Sequence, residues 1–175
     1  MTNQATKCFT KWVGDQSVDR WALFTLEFPR FTKVELWESP VRAAFKQLEK
    51  SYPKSGYKKH RVRTGVPVLN YVTILGGDRT GGVALHAQGL VEVLDDPELT
   101  RLTLKMESAW KSAVTRQIRH LGCDSSDINM NEVKVWVREL DSDPSNYLAY
   151  LNRYEGHDLG FGVNKVMLSA TMLTH

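Results

Sequence analysis

An α+β domain built on an antiparallel sheet is the fold this sequence predicts, and three observations predict it. Short apolar runs rich in β-branched and aromatic residues alternate with stretches of helical period. A glycine-rich segment separates two of the apolar runs, as a hairpin requires. The elements follow one another as β-α-β-β-α-β-α-β, so helices intervene wherever a tight turn does not.

Trp21-Ala-Leu-Phe-Thr-Leu-Glu-Phe28, stopped by Pro29, reads as the first strand, buried on at least one face. Ser39 as cap and Pro40 at the first helical position open a helix in which Val41, Ala44, Phe45, Leu48 and Tyr52 share a stripe up to Pro53. Val66–Leu75 and Val83–Val93 are the next strands, joined through the loop Gly76-Gly-Asp-Arg-Thr-Gly-Gly82. The longest helix runs from Asp96-Pro97 to about His120 on a stripe of Leu99, Leu102, Met106, Trp110, Ala113 and Val114. Val133–Leu140 alternates as a strand does, Asp143-Pro144 caps a third helix ending near Gly156, and Val166–Leu173 gives a last strand. The order contains the split β-α-β pattern of ferredoxin-like, RRM-like domains, whose sheet packs its helices on one face and leaves the other for a ligand.

Composition narrows the function classes. The chain has 175 residues, 42% hydrophobic and 25% charged, which suits one domain, residues 1–175, with a core of its own and excludes disordered and collagen-like readings. No apolar run approaches the roughly 20 residues of a membrane span, and the first residues lack the apolar stretch of a signal peptide, so the expected place is the cytoplasm, or the nucleus of a eukaryotic host. Cys8 and Cys123 are too few for a disulfide framework or a Cys-rich zinc site and are expected to be reduced. The formal charge of +3 is mild, yet between Lys50 and Arg63 the chain carries Lys50, Lys54, Lys58, Lys59, Arg61 and Arg63 with no acid. Tyr52 and Tyr57 interleave with these cations, the pattern of an element that tracks phosphates.

Two segments carry chemistry. In the strand Val83–Val93, alternation puts His86 and Gln88 on one face with Ala84, Leu90 and Glu92, while Val83, Leu85, Ala87, Val91 and Val93 face the core. An imidazole nitrogen and an amide oxygen about 7 Å apart along the strand suit two ligands of one divalent cation. An acid would complete the set: Asp78 in the glycine-rich turn, with Glu92 and Glu27 as the other choices. In the third helix, Tyr147, Tyr150 and Tyr154 fall on one stripe and Arg153 stands one turn beyond Tyr150. A phenol becomes a nucleophile once deprotonated, and a neighbouring cation eases that step. Taken singly, a strand histidine and a tyrosine stripe are more often packing residues.

Together, in this order, they resemble the HUH-type single-stranded DNA endonucleases that initiate rolling-circle replication. Phe24-Thr25-Leu26 is similar to that family's first motif, and His86-Ala87-Gln88-Gly89 to the glutamine-bearing variant of its second. Asp78 falls where the family places its acidic ligand before that histidine, and Tyr150-Leu-Asn-Arg153 is similar to its Tyr-x-x-Lys. The resemblance covers Trp21 to Gly156. It implies one Mg²⁺ or Mn²⁺ held by Asp78, His86 and Gln88, Tyr150 as nucleophile, and nicking and joining of DNA through a 5′-phosphotyrosine link. The partner would be single-stranded or hairpin DNA at a replication origin, held by Lys58, Lys59, Arg61 and Arg63. Arginine at 153 stays charged, so it can position or neutralise phosphate but cannot hand over a proton. Tyr150 and Tyr154 also resemble the paired tyrosines of the two-tyrosine branch. No Gly-x-x-x-x-Gly-Lys-Ser/Thr loop is present, so helicase activity would come from a separate protein. The competing expectation is a non-catalytic module that binds single-stranded nucleic acid on the open face of the same sheet.

Overall fold

The computed structural model describes residues 11, 13, 18–29, 38–52, 69–78, 83–94, 96, 98–123, 129–147 and 165–166, the side chains of 75, 77, 78, 83–85, 165 and 166 excepted. The elements are β1 (Trp21–Glu27), α1 (Glu38–Ser51), β2 (Tyr71–Asp78), β3 (Val83–Glu92), α2 (Thr100–His120), a 3₁₀ turn (Met130–Glu132), β4 (Val135–Glu139) and β5 (Lys165–Val166). They form one sheet in the order β4-β1-β3-β2-β5, with every adjacent pair antiparallel. The first four strands thus follow the split β-α-β arrangement expected of a ferredoxin-like α+β fold.

Alternation along β1 sorts the side chains to two faces. Ala22, Phe24 and Leu26 point to the helices and join Phe45 and Leu48 of α1 and Leu102, Met106, Trp110 and Ala113 of α2 in the larger core. Aromatic contacts order that layer: Phe45 stacks on Tyr71 with ring centres 4.0 Å apart and meets Phe24 edge-on at 5.2 Å. Each such fully buried side chain contributes about 1.5–3 kcal/mol by leaving water. The predicted stripes of both helices are the buried ones, so the periodicity reading holds here.

Several boundaries differ from the sequence expectation. α1 includes Glu38, so Ser39 and Pro40 lie in its first turn rather than at its cap, where proline's missing N–H costs nothing. β2 begins only at Tyr71 and continues through Gly76 and Gly77 to Asp78, residues expected in a loop. The strand persists because these residues pair with β3, with a register shift between Gly76 and Asp78. α2 begins at Thr100, and Asp96 caps it from upstream: its Oδ2 accepts from the Leu102 N–H at 2.6 Å. Leu99, at the cap position, has a left-handed φ of 58°. Asp143 caps the next helical turn as expected, accepting from the Ser145 N–H at 2.7 Å ahead of helical residues 144–147.

The sheet's second face is not wholly open. Trp21, Leu23, Val72, Ile74 and Leu90 are covered by Val13, with Val18, Leu140 and Tyr147 packed at the edge. Tyr147 therefore belongs to a packing layer, and the segment before Trp21, to which the sequence reading assigns no element, contributes the buried Val13. Cys123 is free and exposed. Among the described residues, no helix is long and apolar enough to cross a membrane.

Candidate active site on the open half of the sheet

Beyond the apolar cover, the second face turns polar within two residues. The register sets Ile74, Gln88, Thr25 and Trp136 side by side across β2, β3, β1 and β4. The next row is Gly76, His86 and Glu27. Thr25, Glu27, His86 and Gln88 are half-buried, and Trp136 keeps 59% of its surface exposed.

His86 and Gln88 converge because residue 76 has no side chain. A Cβ built on Gly76 would lie 2.8 Å from His86 Nε2 and 3.1 Å from Gln88 Nε2. Both polar ends therefore hang over the bare backbone of β2, approaching one point rather than standing 7 Å apart. A half-turn of the Gln88 amide presents its oxygen there instead of its nitrogen. The second glycine of the region does different work. A Cβ at Gly89 would run into the Val72 carbonyl, so the glycine that follows His86-Ala87-Gln88 admits the close approach of β2 and β3.

Glu27 is the acid that the register brings to this pair, as the direct cross-strand neighbour of His86. Its backbone is fixed from two sides, the N–H donating to the Lys134 carbonyl at 2.9 Å and the carbonyl accepting from Trp110 Nε1 at 2.9 Å. Its carboxylate Oε1 accepts from Trp136 Nε1 at 3.4 Å. Glu92, the other acid expected on this face, sits opposite Trp21, about 20 Å along the strand from His86. Its Oε2 accepts from both the N–H and the side-chain amide of Asn70, at 3.0 and 2.8 Å. Glu92 is thereby a strut between β3 and the start of β2, and the expectation of it as a ligand is corrected.

Asp78 closes β2 with its backbone paired to Val83, past the register shift that follows Gly76. Its side chain, together with Tyr150, Tyr154, Arg153, Lys58, Lys59, Arg61 and Arg63, lies outside the described residues. No group of three His, Cys, Asp or Glu side chains forms a metal cluster among the described residues. That criterion counts neither amides nor the Asp78 carboxylate. The donors present fit a hard divalent cation that prefers oxygen with one imidazole, since His86, Gln88 and Glu27 supply one nitrogen, one neutral oxygen and one anionic oxygen.

Trp136 is the site residue that sequence reading passes over. Its signal is in the strand Val133-Lys-Val-Trp-Val-Arg-Glu-Leu140: the large aromatic falls in the solvent phase, between Lys134 and Arg138, while Val133, Val135 and Val137 pack on the core. No protein-family model matches this chain, and neither the curated proteins nor the solved structures provide a match.

Proposed function

We propose that this protein is a metal-dependent enzyme that nicks and rejoins single-stranded DNA through a tyrosine-linked intermediate, initiating rolling-circle replication of a virus, plasmid or mobile element. The observation that carries the reading is the convergence of His86 and Gln88 over Gly76 with Glu27 across from them. A purely structural histidine needs no glycine beneath it and no amide brought to the same point.

In this reading His86, Gln88 and a carboxylate, Glu27 or Asp78, hold Mg²⁺ or Mn²⁺. When bound, the ion supplies positive charge against a phosphate's developing negative charge. The protein's own groups do the rest. The Tyr150 oxygen attacks phosphorus, the bond to the 3′ oxygen breaks, the phenol loses its proton and the departing oxygen gains one. The products are a 5′-phosphotyrosine and a free 3′-OH, and attack by another 3′-OH reverses the step, so no nucleotide cofactor is consumed. Arg153 holds the phosphate by charge-assisted hydrogen bonds. Lys58, Lys59, Arg61 and Arg63 bind the strand through its phosphates.

Cleavage of a pool of single-stranded oligonucleotides tests this. The wild-type chain is expected to cut in Mn²⁺, to stop on chelation and to resume on adding Mn²⁺ back, while His86→Ala and Gln88→Ala lose at least tenfold. Titration calorimetry should show weakened Mn²⁺ binding in both variants, and unchanged affinity in His86→Ala would defeat the ligand set. Glu27→Gln and Asp78→Asn, measured in parallel, identify the carboxylate. The competing reading, a binding module without chemistry, draws support from the exposed Trp136 but leaves the bare position at Gly76 without a purpose.

A further inference from the structure

β4 lies at one edge of the sheet and, among the described residues, pairs only with β1. On its open side it presents Lys134, Trp136 and Arg138 at every second position, all three exposed. A large aromatic at 59% exposure gives up the burial that its size would reward, so its position calls for a ligand. The Trp136 indole is also oriented, since its N–H donates to Glu27 Oε1 at 3.4 Å. One strand separates it from Gln88 in the same row, which places it about 10 Å from the His86 and Gln88 pair.

We propose that Lys134, Trp136 and Arg138 form a base-stacking platform that holds a nucleotide of single-stranded DNA beside the His86 and Gln88 site. Two cations flanking an open indole match a polyanion that carries a flat π face at every unit; they do not match a cationic or a purely apolar partner. The bases of single-stranded DNA are free to stack, whereas duplex bases are hidden from a flat platform. The inference rests on the proposal that this face meets single-stranded DNA, and not on any chemistry performed there. It names the place on the sheet where the strand is gripped by a base rather than by a phosphate.

The test is fluorescence anisotropy of the full chain with labelled oligothymidylate in chelator, so that neither metal nor cleavage contributes. Trp136→Ala, which truncates an exposed side chain and should leave the circular dichroism unchanged, is expected to weaken binding about tenfold or more, and Trp136→Phe to retain most of the affinity. An abasic position moved along the oligonucleotide should weaken wild-type binding at one or two places and have no such effect on Trp136→Ala. Lys134→Gln with Arg138→Gln should lower the salt slope by about two. Trp136→Ala binding as tightly as wild type overturns the platform and leaves the nicking proposal standing. Binding lost as expected in Trp136→Ala, from a chain that never cleaves, supports the platform and overturns nicking. A wild-type chain that fails to bind oligothymidylate overturns both. Sedimentation showing a wild-type dimer that Trp136→Ala dissolves would assign the surface to a second copy and overturn the platform.

Discussion

Gly76 shows how little material separates a working site from a disabled one. Adding one methyl there sets a carbon 2.8 Å from His86 Nε2, and the imidazole, a side-chain tip rather than backbone, is what yields. Gly76→Ala is therefore expected to fold, with a melting temperature within a few degrees of wild type, and to lose Mn²⁺ affinity at least tenfold by calorimetry. Gly89→Ala is the opposite case, because the obstacle is the Val72 carbonyl and backbone cannot step aside; it should cost about 3 kcal/mol or more in denaturant unfolding. Tyr52 carries the pH prediction. Burial pushes its phenol up to about 12, and the hydroxyl has no hydrogen-bond partner in the described structure. The fold thus favours the neutral phenol, so this group's contribution is complete below the ordinary tyrosine pKa near 10 and is lost as the pH rises through about 12. Tyr52→Phe should be no less stable than wild type at pH 7 and visibly more resistant to urea at pH 11; equal urea midpoints at pH 11 would contradict the assignment.

Elements with a long period were legible from the residues alone. α2 offered six turns of one apolar stripe, and β1 and β3 offered alternation that only one register satisfies, so both faces of each strand were assigned correctly. Boundaries depended on partners that a linear reading cannot see. Glycines 76 and 77 looked like loop because their small size usually marks a turn, whereas here Gly76 is in the strand to leave room for His86 and Gln88. Glu27 stood among the candidates, but its rank over Glu92 is set by cross-strand register and by Asn70, neither of which is visible in either strand's own sequence. Trp136 was hidden for the same reason, its neighbour Glu27 being 109 residues away in the chain. The start of α2 gives the element-scale prediction. Asp96 caps from outside the first turn, and Asp96→Ala would strand the buried Leu102 N–H beside a cap residue already held at φ 58°. Thermal or urea unfolding should register a loss of about 1–2 kcal/mol, with Asp96→Asn recovering part of it.

At the scale of the whole molecule the sheet is divided by function along its strands. One half of its second face is sealed by Val13, Val18, Leu140 and Tyr147 and gives the fold a second core. The other half stays polar and holds His86, Gln88, Glu27 and Trp136 on three neighbouring strands, with their backbones tied into the ladder. Trp110 links the two layers, since it fills the helix-side core, meets Phe28 at 4.5 Å and donates to the carbonyl of Glu27. Rigidity of the acid thus comes from the main core. If this division has the proposed purpose, the chemistry ends in a covalent bond between protein and DNA, and that bond is the most direct thing to measure. Incubating the chain with single-stranded oligonucleotides and Mn²⁺, then separating on a denaturing gel and mapping the adduct by mass spectrometry, should place a nucleotide on Tyr150; Tyr150→Phe should still fold, bind DNA and bind Mn²⁺ while forming no adduct. Cleavage without any adduct, or a nucleotide mapped to a residue other than Tyr150, would contradict the account.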